Sequence, residues 1–307
     1  MFVNEVYESI WKDRYQKNGE SYDNQLWRVA DFVASAEGDW NAPKWAEKFF
    51  SIMKEGYFFP AGRTMSNAGI GEKLTLNNCF VAPIVGNSME QIFNAVKLGA
   101  MTHKAGGGIG YAFSNLAPNG YRTRNDAIAS GPVSFMDVFN AQTATVQQGS
   151  RRGANMGMLS VYHPDILEFI HAKSATEGRL NHFNLSVVVD DAFMNLVITN
   201  GQVQLHWPIY DEKGNKLPPD KWDKQFTKLV PARDIWNEIM QMAYDNGEPG
   251  VFYEDNANNR NPAWYVERIV CSNPCAEYLA GTINATDPSQ YGGACNLGSL
   301  FLHNFVK

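Results

Sequence analysis

Cysteine is scarce in this sequence: four residues among 307, too few for the disulfide framework of a small secreted scaffold. Charge is sparse as well, at 19% with a net −6. That balance excludes a broad basic nucleic-acid surface but leaves room for a local phosphate pocket. No apolar run approaches the ~20 residues that span a bilayer, and the opening MFVNEVYESIWKDRYQKNGE lacks the apolar core of a signal peptide. Internal repeats and low-complexity tracts are also missing. These absences lead to the expectation of a cytoplasmic globular protein with neither membrane nor nucleic acid as partner, in which any disulfide is transient and catalytic.

What is present is a hydrophobic content of 44% and enough length for a large core. Residues 1–57 place aromatic and aliphatic side chains three or four apart between charges and read as an N-terminal helical region. FFPAGRTMSNAGIGEKLTLNN breaks that period with Pro, Gly and Asn and reads as a loop. NCFVAPIV, which contains Cys79, is a buried-strand run. SMEQIFNAVKLGAMTHKA and GPVSFMDVFNAQTATVQQG are helices, and the glycines of AGGGIG between them allow a sharp turn or a close backbone approach to a ligand. Strand, helix and strand then alternate through NMGMLSV, HPDILEFIHAK, LSVVV, PARDIWNEIMQMAYDN and GVFY. WPIYDEKGNKLPPDKWDK interrupts them as a surface hairpin. Strands without strict polar alternation argue for a parallel sheet covered by helices.

The chain is organised around ERIVCSNPCAEYLAGTINATDPSQYGGACNLGSL, where Asn273, Cys275 and Glu277 alternate. In an extended segment an amide, a thiol and a carboxylate two apart point the same way. The plainer readings are a buried apolar thiol or half a metal site. No second CxxC and no nearby His support a metal, since structural zinc takes four close ligands.

Eight ordered stretches, FFPAGRTMSNAG, NNCFVAPI, HKAGGGIGYAFSNL, GPVSFMDVFNAQTATVQQGSRRGANMGMLSV, HPDILEFI, NHFNLSVVV, NPCAE and CNLGSL, together resemble the catalytic subunit of ribonucleotide reductases. The likeness is greatest to the adenosylcobalamin-dependent class II and runs from about residue 55 onward. It implies an α/β fold, the first half of a ten-stranded α/β barrel over residues 58–307, with a central loop carrying the radical cysteine. Cys275 becomes the thiyl site, Asn273 holds the ribose, Glu277 is the general base, and Cys79 with Cys295 is the reducing dithiol. Cys271 receives no role beyond that of a buried structural thiol. The implied cofactor is adenosylcobalamin, and the implied external reductant is a dithiol such as thioredoxin.

The same resemblance places Thr64, Asn78, Ala105 and Gly106 near a ribonucleotide substrate. It places Asn87, Ser88, Lys173 and Arg179 near a deoxyribonucleotide or ATP effector, with Arg151 and Arg152 close by and 173–183 as a specificity loop. Asn87 stands where the family often carries Asp, and no ATP-cone is recognisable before residue 55. Because the stretch ends near CNLGSL, the expectation is a catalytic part that works with a complementary C-terminal reductase chain, with a homodimer as a further assembly. A non-catalytic nucleotide-binding or assembly fragment of the same fold is the alternative. Neither the di- or triphosphate form of the substrate nor the effector preference follows from these residues.

Overall fold

The computed structural model describes residues 4–71, 74–123, 126–146, 153–174, 178–211, 214–280, 283–284 and 292–306. In chain order, Asn4 and Ser21 accept backbone N–H bonds and start helices α1 (Glu5–Arg14) and α2 (Tyr22–Ala34). Then follow α3 (Ala42–Lys54), β1 (Phe58–Pro60) and α4 (Gly62–Asn67). Helix α4 occupies a stretch that reads as loop, because Pro60 precedes it and Gly62 opens it, so neither interrupts it. Next come β2 (Cys79–Val81) and α5 (Met89–Ala105), the latter opened by a reciprocal Ser88–Gln91 capping box. Gly106 closes α5 at φ +93°, in the left-handed region that glycine tolerates.

Alternation continues with β3 (Gly108–Ala112), α6 (Gly131–Thr145), β4 (Asn155–Ser160), α7 (Ile166–Ile170), β5 (Phe183–Val189) and α8 (Asp191–Thr199). Then come β6 (Gln202–Leu205), β7 (Lys228–Pro231), α9 (Ala232–Asn246), β8 (Gly250–Tyr253) and α10 (Glu254–Asn259). Four short strands finish the chain: β9 (Glu267–Arg268), β10 (Ile283–Asn284), β11 (Gly293–Cys295) and β12 (Gly298–Leu300).

Two compact units result, Met1–Asn78 with Cys295–Lys307, and Cys79–Ala294. In the first, Leu26, Val29, Ala30, Met53, Met65 and Ala68 form the core between α2, α3 and α4. Strand β12 pairs antiparallel with β1, and Phe301 meets Phe59 edge-on.

The second unit is built on a six-stranded sheet in the order β11-β2-β3-β4-β5-β8, whose pairs from β2 to β8 are all parallel. Side-chain parity decides what each face does. Ile109, Tyr111, Leu159, Phe183, Leu185 and Val187 point into the main core with α6, α7, α8 and α9. Ala112, Met156, Met158 and Val188 point the other way, onto a smaller cluster with Ile269, Val270, Cys271 and Ala280. A sheet buried on both faces needs apolar residues at both parities, which is why β4 and β5 do not alternate cleanly. The hairpin around Tyr210 and Lys216 is less superficial than its composition suggests, since Trp207, Ile209 and Tyr210 are buried.

Candidate active site

The face of the sheet opposite α6, α7, α8 and α9 carries one long hairpin. Strands β9 and β10 pair antiparallel at its base, a Ser272–Leu279 bridge lies above them, and the chain turns at 273–276. Residues 269–274 are buried, whereas Cys275, Ala276 and Glu277 are exposed at the tip. The tip is not the extended segment that the alternating spacing suggests. The Ala276 N–H donates to the Asn273 carbonyl at 3.1 Å and Ala276 sits at φ +64°, so the chain reverses between Asn273 and Glu277 instead of running straight.

Asn273 organises this turn. Its side-chain Oδ1 accepts the Tyr278 N–H at 2.8 Å, and its own N–H donates to the Tyr278 carbonyl at 3.2 Å. Its Nδ2 is buried with no hydrogen-bond partner among the described residues. Cys275 and Glu277 flank the turn, and the Cys79 thiol lies within 4.8 Å of the Glu277 carboxylate. Partial burial pushes the Cys275 thiol up, and the Glu277 carboxylate and Cys79 push it further in the same direction. A thiol held protonated is a poor thiolate nucleophile and keeps an S–H hydrogen atom to give.

Two of the glycines of 106–110 serve this hairpin. A Cβ on Gly108 would stand 2.9 Å from Cγ of Pro274, and one on Gly110 only 1.7 Å from the Ser272 carbonyl oxygen. The close approach that a Gly-rich turn permits is therefore made by the chain's own cysteine loop. Asn184, on the same face of β5, donates from Nδ2 to the Pro274 carbonyl at 2.7 Å. Its only sequence signal is a polar residue inside the apolar run FNLSVVV. Asn184→Ala strands that buried carbonyl and is expected to lower stability by about 1–3 kcal/mol, read from the midpoint of denaturant unfolding.

Cys271 is fully buried, and burial pushes its thiol far up. It donates to the Ser272 carbonyl at 3.3 Å, in keeping with a structural role. Cys295 ends β11, the strand next to β2 in the sheet, and its carbonyl accepts the N–H of Asn78 at 2.9 Å. Thr64 is buried on α4, with its hydroxyl 3.4 Å from the Leu76 carbonyl, and Asn78 keeps a buried Oδ1 without a hydrogen-bond partner among the described residues. Ala105 and Gly106 close α5 just before β3.

The residues expected at an effector carry structural contacts. The Ser88 hydroxyl caps α5, and Asn87 Oδ1 accepts the Ala117 N–H at 2.7 Å. Lys173 donates to the Phe183 carbonyl and pairs with Glu248 at 2.9 Å, and Arg179 pairs with Asp137 at 2.9 Å. Arg151, Arg152 and residues 175–177 of the 173–183 segment lie outside the described residues.

Comparison with known proteins fits this geometry. The family model described as "Ribonucleotide reductase, barrel domain" matches residues 77–307, and "Ribonucleotide reductase, all-alpha domain" matches 1–73. The chain belongs to the ribonucleotide reductase large-subunit family. It is 37% identical over 270 residues to the vitamin B12-dependent ribonucleoside-diphosphate reductase of Thermoplasma acidophilum, covering 87% of this chain and 32% of that protein. The protein of the same name from Mycobacterium tuberculosis strain CDC 1551 is 36% identical over 295 residues, covering 94% and 39%. The large chain of the Schizosaccharomyces pombe ribonucleoside-diphosphate reductase is 29% identical over 280 residues, covering 84% and 33%. The chain thus spans about a third to two fifths of the length of these relatives, within their N-terminal part.

Proposed function

We propose that this chain supplies the radical-bearing part of an adenosylcobalamin-dependent, cytoplasmic ribonucleotide reductase that makes DNA precursors. The region its relatives carry beyond this stretch comes from the same or a second polypeptide. The observation that carries this reading is the meeting of Cys275, Glu277 and Cys79 at one loop tip. Its support from relatives is the B12-dependence in the names of the Thermoplasma and Mycobacterium proteins.

A cavity of about 520 Å³ flanks the loop, lined among others by Ser186, Asn256, Arg260, Ala276 and Leu279. That space suits a group of nucleoside size rather than a corrin ring, so what the described residues bring to the cofactor is the exposed thiol. When bound, adenosylcobalamin supplies the one-electron oxidising power that side chains lack.

In this reading the Cys275 sulfur takes the hydrogen atom from C3′ of the ribose. The Glu277 carboxylate accepts the 3′-hydroxyl proton, and the free Nδ2 of Asn273 donates to a ribose oxygen. The 2′-hydroxyl leaves as water. Cys79 and Cys295 together give two electrons and two protons and close a disulfide, so ribonucleotide plus two thiols becomes deoxyribonucleotide plus disulfide plus water. At the end the Cys275 S–H gives the hydrogen atom back to C3′, which leaves the sulfur as it began. The backbone bond between Asn78, the residue before Cys79, and Cys295 supports this pairing, which requires Cα atoms within ~7 Å. An external dithiol of the thioredoxin kind then reopens the bridge by exchange. Thr64, Asn78, Ala105 and Gly106 remain the proposed substrate contacts, and Asn87, Ser88, Lys173 and Arg179 the proposed effector contacts.

The test is a reduction assay with CDP and CTP, using the assembly that contains this chain. Pre-reduced enzyme given no external dithiol is expected to form about one deoxynucleotide per site and to yield a Cys79–Cys295 disulfide peptide by mass spectrometry. Cys79→Ser should form neither. Multiple turnovers by Cys79→Ser at the wild-type rate would defeat the assignment.

A further inference from the structure

The arm that delivers Cys275 is gripped at one point by a single side chain. Asn258, in α10, accepts the Ile269 N–H on Oδ1 at 2.9 Å and donates from Nδ2 to the Ile269 carbonyl at 2.8 Å. One amide thereby satisfies both backbone groups of one residue, as a neighbouring strand would. A third bond, from Nδ2 to the Glu254 carbonyl at 3.0 Å, fixes the amide's orientation. Helix α10 follows β8 without a break, so the grip is rooted in the sheet.

Glu254, one turn earlier on the same helix, holds the preceding residue. Its carboxylate is 1% exposed and meets Arg268 at 2.7 Å and Lys216 at 3.1 Å, while the Tyr210 hydroxyl donates to it at 3.2 Å. Lys216 also reaches Asp190 at 2.6 Å, and Asp190 caps α8 through the Phe193 N–H at 2.7 Å. A buried ionic cluster of this kind contributes definition of geometry more than net stability.

Hydrogen bonds are needed here because packing alone leaves the register loose. Ile269, Val270 and Cys271 sit in an apolar cluster, and apolar contacts are non-directional. A slip of one residue would turn every side chain of the arm to the opposite face. We propose that Asn258, assisted by Glu254, is a positioning residue: it sets the register of the arm and so places the Cys275 thiol beside Glu277 and Cys79. The role rests on Cys275 being the reacting thiol.

The test reads the thiol itself. The pH–rate profile of iodoacetamide alkylation at Cys275 is followed by peptide mass spectrometry in wild type, Asn258→Ala and Glu254→Gln, with circular dichroism and thermal melting as checks on folding. In Asn258→Ala the profile is expected to move to lower pH, with several-fold faster alkylation at pH 8, as Cys275 leaves Glu277, Cys79 and its partial burial. Cys271 stays unreactive. Glu254→Gln, which keeps the shape, moves the profile in the same direction by less and serves alone if Asn258→Ala does not fold. An unchanged Cys275 profile in the folded variant overturns the proposal. So does parallel exposure of Cys271, which would mean that the arm unfolds rather than shifts. Alkylation reports on the loop whether or not the protein reduces nucleotides, so its outcome is separate from the assay above.

Discussion

Cys275→Ser is expected to lower ribonucleotide reduction by roughly three orders of magnitude or more, the scale on which loss of the reacting group acts. An O–H bond is much stronger than an S–H bond, so a serine at this position cannot be turned into the radical that the proposed abstraction at C3′ requires. The same substitution should leave the fold alone. Cys275 is exposed at the tip of its loop, and a surface change of this kind stays within about 0.5 kcal/mol. Turnover by the assembly and thermal melting, measured side by side, should therefore separate completely. Equal activity in the serine variant would remove Cys275 from the chemistry.

Gly110→Ala is expected to have the next largest effect, without touching a reacting group. The new methyl would sit 1.7 Å from the Ser272 carbonyl oxygen, and that oxygen belongs to backbone, so no rotamer change relieves the clash. The hairpin must retreat from β3. Overpacking of this sort costs about 1–3 kcal/mol, and displacement of a reacting atom by ~1 Å can cost about 100-fold in rate. Gly108→Ala meets the ring of Pro274 at 2.9 Å instead and should be milder. Comparing the two rates, with Cys275 alkylation as a monitor of loop position, checks the order. Gly110→Ala at the wild-type rate would show that loop placement does not govern the chemistry.

The family was legible in the sequence because it is carried by residue identity. Asn273, Cys275 and Glu277 stand two apart, and Cys79 falls at the start of a run apolar enough to be a strand. The parallel sheet was legible for a related reason: β4 and β5 lack alternation because both faces are covered. The shape of the tip was not. A spacing of two is equally compatible with a strand and with a turn, and the choice is made by Ala276 at φ +64°, a conformation that costs about 1–2 kcal/mol for a residue with a Cβ and that the surrounding hairpin imposes.

Non-local contacts explain the other gaps. Asn184 lies 90 residues from Pro274 in the chain, so nothing near it in sequence announces the bond. Asn258 reads as one Asn among several in NANNRNP, and only the fold shows that it faces Ile269. The glycines of 106–110 were visible as a place of close approach, but the approaching group is the loop itself. Ser88 could have been read as a helix cap from Gln91 three residues on. The notion of an effector contact at that position sits beside a structural use of the same hydroxyl.

The central claim, that the loop tip performs cobalamin-dependent ribonucleotide reduction, is tested most directly by deoxynucleotide formation in the isolated assembly, with a dithiol, with and without adenosylcobalamin. Product is expected only when adenosylcobalamin is present. Deoxynucleotide formed equally well in its absence would contradict it.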